Sequence, residues 1–368
     1  MKNQDNDKLA RRSRQTKVGL YDPYLDVLGG GEKYLLQMLS TCEEMGYQPT
    51  IFWNKNLQKE ISQRLNINFR SLTFEKNIFI DPSIHSFQRF LKLKEFDVFL
   101  YISDGSYFFS GARRNIVHAM VPLKNLYLSS SLNRIKHLNW SFVANSYFTQ
   151  SHLKNWGVNS TVLYPYLDKN FLEAPIKKKE QIILSVGRFF GHLHSKNHER
   201  MIDVFLKNKK LSNGYTLILA GGLKDEDREY FESLKEKIGD VKNIILKPNV
   251  SYDELLGLYL KARYYWHFAG FGINDVSHPE LVEHFGITPI EAMAMRVIPF
   301  CFNAGGPKEL IADGVNGFLF NDEAELIGKM SSVMNDEKKQ NEIAENAHNY
   351  ALKNFSLEVY KQNLKKLI

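Results

Sequence analysis

Cysteine is nearly absent: Cys42 and Cys301 are the only two in 368 residues, far apart and each beside apolar neighbours. Two such residues build neither a disulfide framework nor a zinc site, so a reducing, cytoplasmic setting is expected. Long apolar runs are missing too, since none approaches the roughly 18 residues that a spanning helix needs. The opening MKNQDNDKLARRSRQTK has no apolar core, so no secretory signal is expected there. The chain should be soluble or lie on a surface. Internal repeats at solenoid periods and low-complexity segments are also absent. What remains is an ordinary globular composition, 43% hydrophobic and 24% charged, long enough for two domains with separate cores.

Charge is unevenly spread. The net value is +7, and residues 1–17 alone hold six Lys/Arg against Asp5 and Asp7. A second basic-apolar segment is HSFQRFLKLKEF, from His85, and a third runs from Arg113 to His137. Such patches suit an anionic membrane surface, an anionic substrate or nucleic acid; equally, they describe a frayed tail and solvated faces. No nucleic-acid reading motif accompanies them, so nucleic acid is not an expected partner.

Taken in order, strand-like and helix-like segments alternate. Strands are predicted at 17–21, 47–53, 67–74, 97–103, 115–120, 140–146 and 161–165, then at 182–188, 215–221, 244–250, 263–270, 297–302 and 317–320. The polar DKNFLEAPIKKKEQ, 168–181, reads as a linker between the two sets. The expected organisation is α/β: a basic disordered tail over 1–16, a Rossmann-like domain over 17–170, a second over 181–350, and a C-terminal helix over 351–368 that can pack back on the first. Two doubly wound parallel sheets put their ligand loops at the carboxyl ends of the strands, in a cleft.

Four such loops are chemically loaded. In EHFGITPIE, Glu283 to Glu291, Thr288 reads as an N-cap, Pro289 as the first helical residue and Glu291 as the third. A helix starting there offers free N–H groups to an anion, while Thr288 to Glu291 also fits a simple capping box. The triple glycine 29–31 precedes a helix, where backbone can approach a ligand closely or merely turn. Arg188 ends a predicted strand and Lys196 precedes a helix; two cations so placed suit a diphosphate, or are surface charges. His118 closes NIVHAM, where it can meet a sugar hydroxyl or serve as a structural histidine. A further glycine pair stands in NAGGPKEL, 303–310.

Together GGGE, VGR…SKN, EHFGITPIE with EAMA after it, and NAGGPKEL…GVNGFLF resemble the retaining glycosyltransferases of family 4, over nearly the whole chain after the tail. The separation of Arg188 from Lys196 is longer than that family's commonest spacing. The resemblance implies the GT-B fold, with two Rossmann-like domains facing across a cleft. It implies retaining transfer of a sugar from a nucleoside diphosphate to a glycan or lipid-linked acceptor. A mannosyltransferase branch is the nearest in wording, which favours GDP-mannose, with UDP-sugars next. Arg188 and Lys196 would bind the diphosphate, with Gly30 and Gly31 approaching from the other domain. Glu283 would contact donor-sugar hydroxyls beside the N–H groups of Phe285, Gly286 and Ile287. Glu291 would hold the ribose, Thr288 a phosphate oxygen, Val250 the nucleobase loop, and His118 would sit near the transferring sugar. No Asp-x-Asp motif falls in a cleft loop, so neither a metal nor another cofactor is expected. Alternatives on the same fold are a sugar phosphorylase, an epimerase or a non-catalytic scaffold partner. A lipid-linked or polysaccharide acceptor would place the protein at the inner face of a membrane.

Overall fold

A computed structural model describes residues 15–127, 131–191 and 195–368, so the predicted tail lies, up to Arg14, outside the described residues. Two compact units are present. Of the described residues, the first takes those up to 145 together with 150–163 and 361–368, and the second 146–149 and 164–360.

The first unit is built on seven parallel strands: β1 Lys17–Tyr21, β2 Gln48–Phe52, β3 Thr73–Glu75, β4 Val98–Ile102, β5 Arg114–Ala119, β6 Ser141–Ala144 and β7 Ser160–Val162, in the order β3-β2-β1-β4-β5-β6-β7. Order reverses beside β1, the switch point at which open α/β sheets bind ligands. The central strands carry near-continuous apolar runs because both faces are covered. An aromatic core of Phe52, Phe96, Phe99, Tyr101 and Trp140 fills one side. The strand predicted at 67–74 shrinks to Thr73–Glu75. The Glu43 carboxylate accepts the Arg70 and Ser71 N–H groups at 3.0 and 2.7 Å, which takes them out of any ladder.

The second unit has six parallel strands: β8 Ile182–Val186, β9 Thr216–Gly221, β10 Ile244–Pro248, β11 Tyr264–His267, β12 Ile298–Phe302 and β13 Phe318–Phe320, in the order β10-β9-β8-β11-β12-β13. Its switch point is beside β8. Residues read as a linker are packed here instead. Phe171 and Leu172 are buried, and the Lys179 ammonium donates to the carbonyls of Tyr259, Leu260 and Met295 at 2.7–3.1 Å. The last residues belong to the first unit, where Lys361 pairs with Glu44 at 2.7 Å. Among the described residues, no helix is long and apolar enough to cross a membrane.

Candidate functional site

The carboxyl edge of the second sheet gathers most of the expected donor-binding residues. β8 is buried along its length and runs into Gly187 and Arg188. Gly221, at the end of β9, has φ +157, and a Cβ there would stand 1.9 Å from the Gly187 carbonyl oxygen. Only glycine lets the two strand ends touch. Arg188 is exposed; its guanidinium lies 4.6 Å from the centre of the Phe190 ring and meets no carboxylate among the described residues.

Lys196 arrives from the loop before the His198–Lys207 helix. Its stem lies against Gly187, where a Cβ would come within 2.5 Å of the Lys196 Cγ. Its ammonium is 2.6 Å from Glu283 Oε2. His267, the last residue of β11, brings Nε2 to 3.3 Å from the same oxygen. Burial alone would raise the Glu283 carboxyl, but the Lys196 charge and the His267 ring outweigh it and hold the carboxyl well below its usual range. Burial likewise pushes the His267 imidazole down, so at neutral pH it is uncharged. The cluster is therefore one ammonium, one carboxylate and one neutral imidazole.

The EHFGITPIE stretch corrects one expectation. Thr288 is not the N-cap. The helix runs Ile287–Ala294 and is capped by Gly286 at φ 106, ψ 58, a conformation open to glycine and costly for threonine. Thr288 is consequently the second helical residue, and its hydroxyl accepts from Tyr265 at 2.7 Å. Glu291 sits at the fifth position, beyond a capping box. Its Oε2 accepts from Tyr259 at 2.9 Å, and Tyr259 is fully buried. Phe285 packs its ring on Tyr164 and Phe355, which anchors the loop while its backbone faces the glycine pair.

That pair is a backbone-to-backbone seam. The Gly306 N–H donates to the Glu283 carbonyl at 2.7 Å, and a Cβ on Gly305 would lie 2.1 Å from the same oxygen. Gly305 also has φ +65. Asp275 holds the turn from the other side, accepting from the Gly305 N–H and the Lys308 ammonium, each at 2.8 Å. Gly305→Ala should therefore cost at least about 2 kcal/mol of stability, by collision and by strain. A melting temperature equal to the parent's would refute this seam. Val250, partly buried after β10, follows Asn249, whose side-chain Oδ1 accepts the Leu223 N–H at 2.8 Å and ties the loops after β9 and β10 together.

The remaining predicted residues lie in the first unit. Gly29 caps the Gly30–Glu44 helix, and Glu32 accepts the Gly29 N–H at 2.5 Å. Gly30 has open space around it, whereas a Cβ on Gly31 would meet the end of the flexible Met120 side chain at 2.7 Å. His118, on β5, is buried and stacks on Tyr34 at 3.9 Å. Its Nδ1 is 3.2 Å from the Val143 carbonyl oxygen. Burial pushes its imidazole down to about 3, the signature of a neutral, packed histidine. Sequence reasoning missed His267, Tyr259 and Asp275. The first two sit among aromatic and apolar neighbours and read as core; only the place of His267 at the end of β11 and of Tyr259 opposite EHFGITPIE gives them away. No group of three or more His, Cys, Asp or Glu side chains is gathered as metal ligands would be, among the described residues.

The profile of the family described as "Glycosyl transferases group 1" matches residues 168–350. A GDP-Man:Man(3)GlcNAc(2)-PP-Dol alpha-1,2-mannosyltransferase of Mus musculus is 30% identical over 213 residues, covering 52% of this chain and 40% of that protein. The O-antigen chain mannosyltransferase RfbU of Salmonella typhimurium is 34% identical over 176 residues, covering 45% of this chain and 42% of its own length. This chain thus spans less than half the length of these two curated relatives. Among solved structures, Anabaena HepE in complex with UDP superposes with a TM-score of 0.72 at 18% identity, covering 96% of this chain and 99% of that one. The second unit of this chain therefore belongs, over residues 168–350, to the glycosyl transferases group 1 family, and the chain as a whole has the GT-B fold of two Rossmann-like domains.

Proposed function

We propose that the protein transfers a sugar, mannose or a close relative, from a nucleoside diphosphate to a hydroxyl of a glycan or lipid-linked acceptor, with retained configuration. The observation that carries this reading is the Lys196–Glu283–His267 cluster at the sheet edge, with Arg188, which meets no carboxylate among the described residues, just past the end of β8. The mannosyltransferase relatives support the donor sugar, with GDP ahead of UDP as its carrier.

In the reaction the bond between the donor's anomeric carbon and the β-phosphate oxygen breaks, and a bond from the acceptor oxygen to that carbon forms. The acceptor's proton goes to the departing diphosphate on the same face. Charge on that diphosphate grows most at the transition state, so cations fixed beforehand accelerate the step. Lys196 has three N–H donors and uses one on Glu283, which leaves two for phosphate oxygens. Arg188 supplies a planar fork of donors. The Thr288 hydroxyl, accepting from Tyr265, keeps its own proton to give a phosphate oxygen. Glu283 receives sugar hydroxyls, with the N–H groups of Phe285, Gly286 and Ile287 offered at the helix start. Glu291, oriented by Tyr259, receives the ribose hydroxyls. His118, neutral and packed on Tyr34, is given no proton-transfer role.

Two basic side chains supply the neutralisation that a divalent ion gives in other transferases. Turnover is thus expected to survive excess EDTA, and restoration of a lost rate by Mg²⁺ or Mn²⁺ would overturn metal independence. The function itself is tested by offering the full chain a panel of GDP- and UDP-sugars and measuring free nucleoside diphosphate. Release from GDP-mannose above the other donors is the expected result. Consumption of none, or release of sugar 1-phosphate on adding inorganic phosphate, would refute it.

A further inference from the structure

Two short helices of the first unit are amphipathic the wrong way round for a protein that meets only water. In Ser86–Leu93, Leu93 is buried, yet Phe87 and Leu91, one turn apart, are 70% and 46% exposed. In and just after Ser131–His137, Ile135 and Leu138 are 55% and 86% exposed. Isolated exposed leucines need no explanation; large ones aligned along two neighbouring helices do.

The helices are joined by one loop, residues 103–111. On one side the Lys136 ammonium donates to the Tyr107 carbonyl at 2.7 Å and the Asn139 amide to the Ser110 carbonyl at 2.6 Å. On the other, Gly111 abuts the first helix so closely that a Cβ would lie 2.4 Å from the Phe90 carbonyl oxygen. Phe109, at the loop's tip, is itself exposed. Three pieces of structure in contact with one another thus each expose large apolar side chains.

Within the two helical segments themselves all formal charge is positive, and the nearby acids Glu75 and Glu95 are engaged by Lys92. Residues 85–94 and 131–138 contain Arg89, Lys92, Lys94, Arg134 and Lys136 and no Asp or Glu. Lys92 is occupied by Glu75 and Glu95, and Lys136 by the Tyr107 carbonyl, whereas Lys94 and Arg134 are exposed. Asp104, the acid within the joining loop, accepts from Tyr101 and Ser106.

We propose that this region docks on an anionic lipid surface, with Phe87, Leu91, Ile135 and Leu138 entering the headgroup boundary and Lys94 and Arg134 pairing with lipid phosphates. Apolar side chains interleaved with cations on short surface helices match such a boundary, where both chemistries are satisfied at one depth. A second copy of this chain would bring up the same positive face, and like charges oppose that pairing. The proposal rests on the transferase reading only for the acceptor it would approach; its test needs no turnover.

The measurement is sedimentation of the full chain with phosphatidylcholine vesicles, with and without phosphatidylglycerol. Binding to the anionic vesicles at low salt, weakened by added salt, is the expected result. The quadruple variant Phe87→Ser, Leu91→Ser, Ile135→Ser, Leu138→Ser should bind at least about tenfold less. Lys94→Glu with Arg134→Glu should lose binding to a similar degree, and this pair decides the matter if the quadruple variant does not fold. No binding to either vesicle overturns the proposal. So does undiminished binding of both variants, which would move the attachment to another basic segment. Loss of a concentration-dependent dimer in the variants, without vesicle binding by the parent, overturns it in favour of a second copy.

Discussion

Replacing Arg188 by alanine is expected to lower kcat about a hundredfold, roughly 3 kcal/mol of transition-state stabilisation, while the melting temperature stays nearly unchanged. The two halves of that expectation have separate causes. The guanidinium is exposed, stacks only on Phe190 and pairs with no carboxylate among the described residues, so the folded state loses little without it. What it would meet is the charge that grows on the departing diphosphate, so its removal is felt in the transition state. Arg188→Lys should recover only part of the rate, because an ammonium cannot reproduce a planar pair of donors. Full activity in Arg188→Ala would remove the diphosphate from this sheet edge.

Lys196→Met should behave differently and lose both activity and stability. The ammonium and the Glu283 carboxylate are each about four-fifths buried and lie 2.6 Å apart. Removing one leaves the other charged, enclosed and short of a partner, at a cost of roughly 3 kcal/mol. The pH dependence of stability follows from the direction of the Glu283 shift. Its folded carboxyl lies well below the ordinary 4.5, so its contribution is complete above that value and is lost as pH falls toward the folded one. Without Lys196 the depression relaxes and the neutral acid becomes the easier form to bury. The parent's advantage over the variant should therefore be largest at neutral pH and shrink as pH drops below about 4.5. An advantage that is constant from pH 7 to pH 3 would show that the pair is not what stabilises this edge. Lys196→Met combined with Glu283→Gln should recover most of the lost stability and none of the activity.

Much of the fold is legible in the sequence alone. All thirteen predicted strands exist, because near-continuous apolar runs between glycine and polar turns mark buried parallel strands. Their parallel arrangement then places Arg188, Val250 and the glycine pair at one edge without further information, since every strand ends on the same side. Where structure and sequence pattern differ, the cause is local. Thr288 followed by Pro289 is a good capping signal, but Gly286 can take a left-handed conformation that starts the helix two residues earlier. INFRSLTF has strand-like composition, and a carboxylate 27 residues away claims its amides. DKNFLEAPIKKKEQ has the composition of a linker, although a ring of carbonyls from distant segments holds Lys179 in place.

By itself the sequence determined the elements, their alternation and the kinds of side chain available at the loops, because turn chemistry and apolar period act between near neighbours. Only the tertiary structure decided that Lys196 meets Glu283 across 87 residues, that His267 joins them, that Tyr259 orients Glu291, and that His118 turns inward on Tyr34. Those pairings depend on strand order and on glycine seams that let backbones touch, and the free energy of ion pairing and burial is fixed by distance in space rather than along the chain.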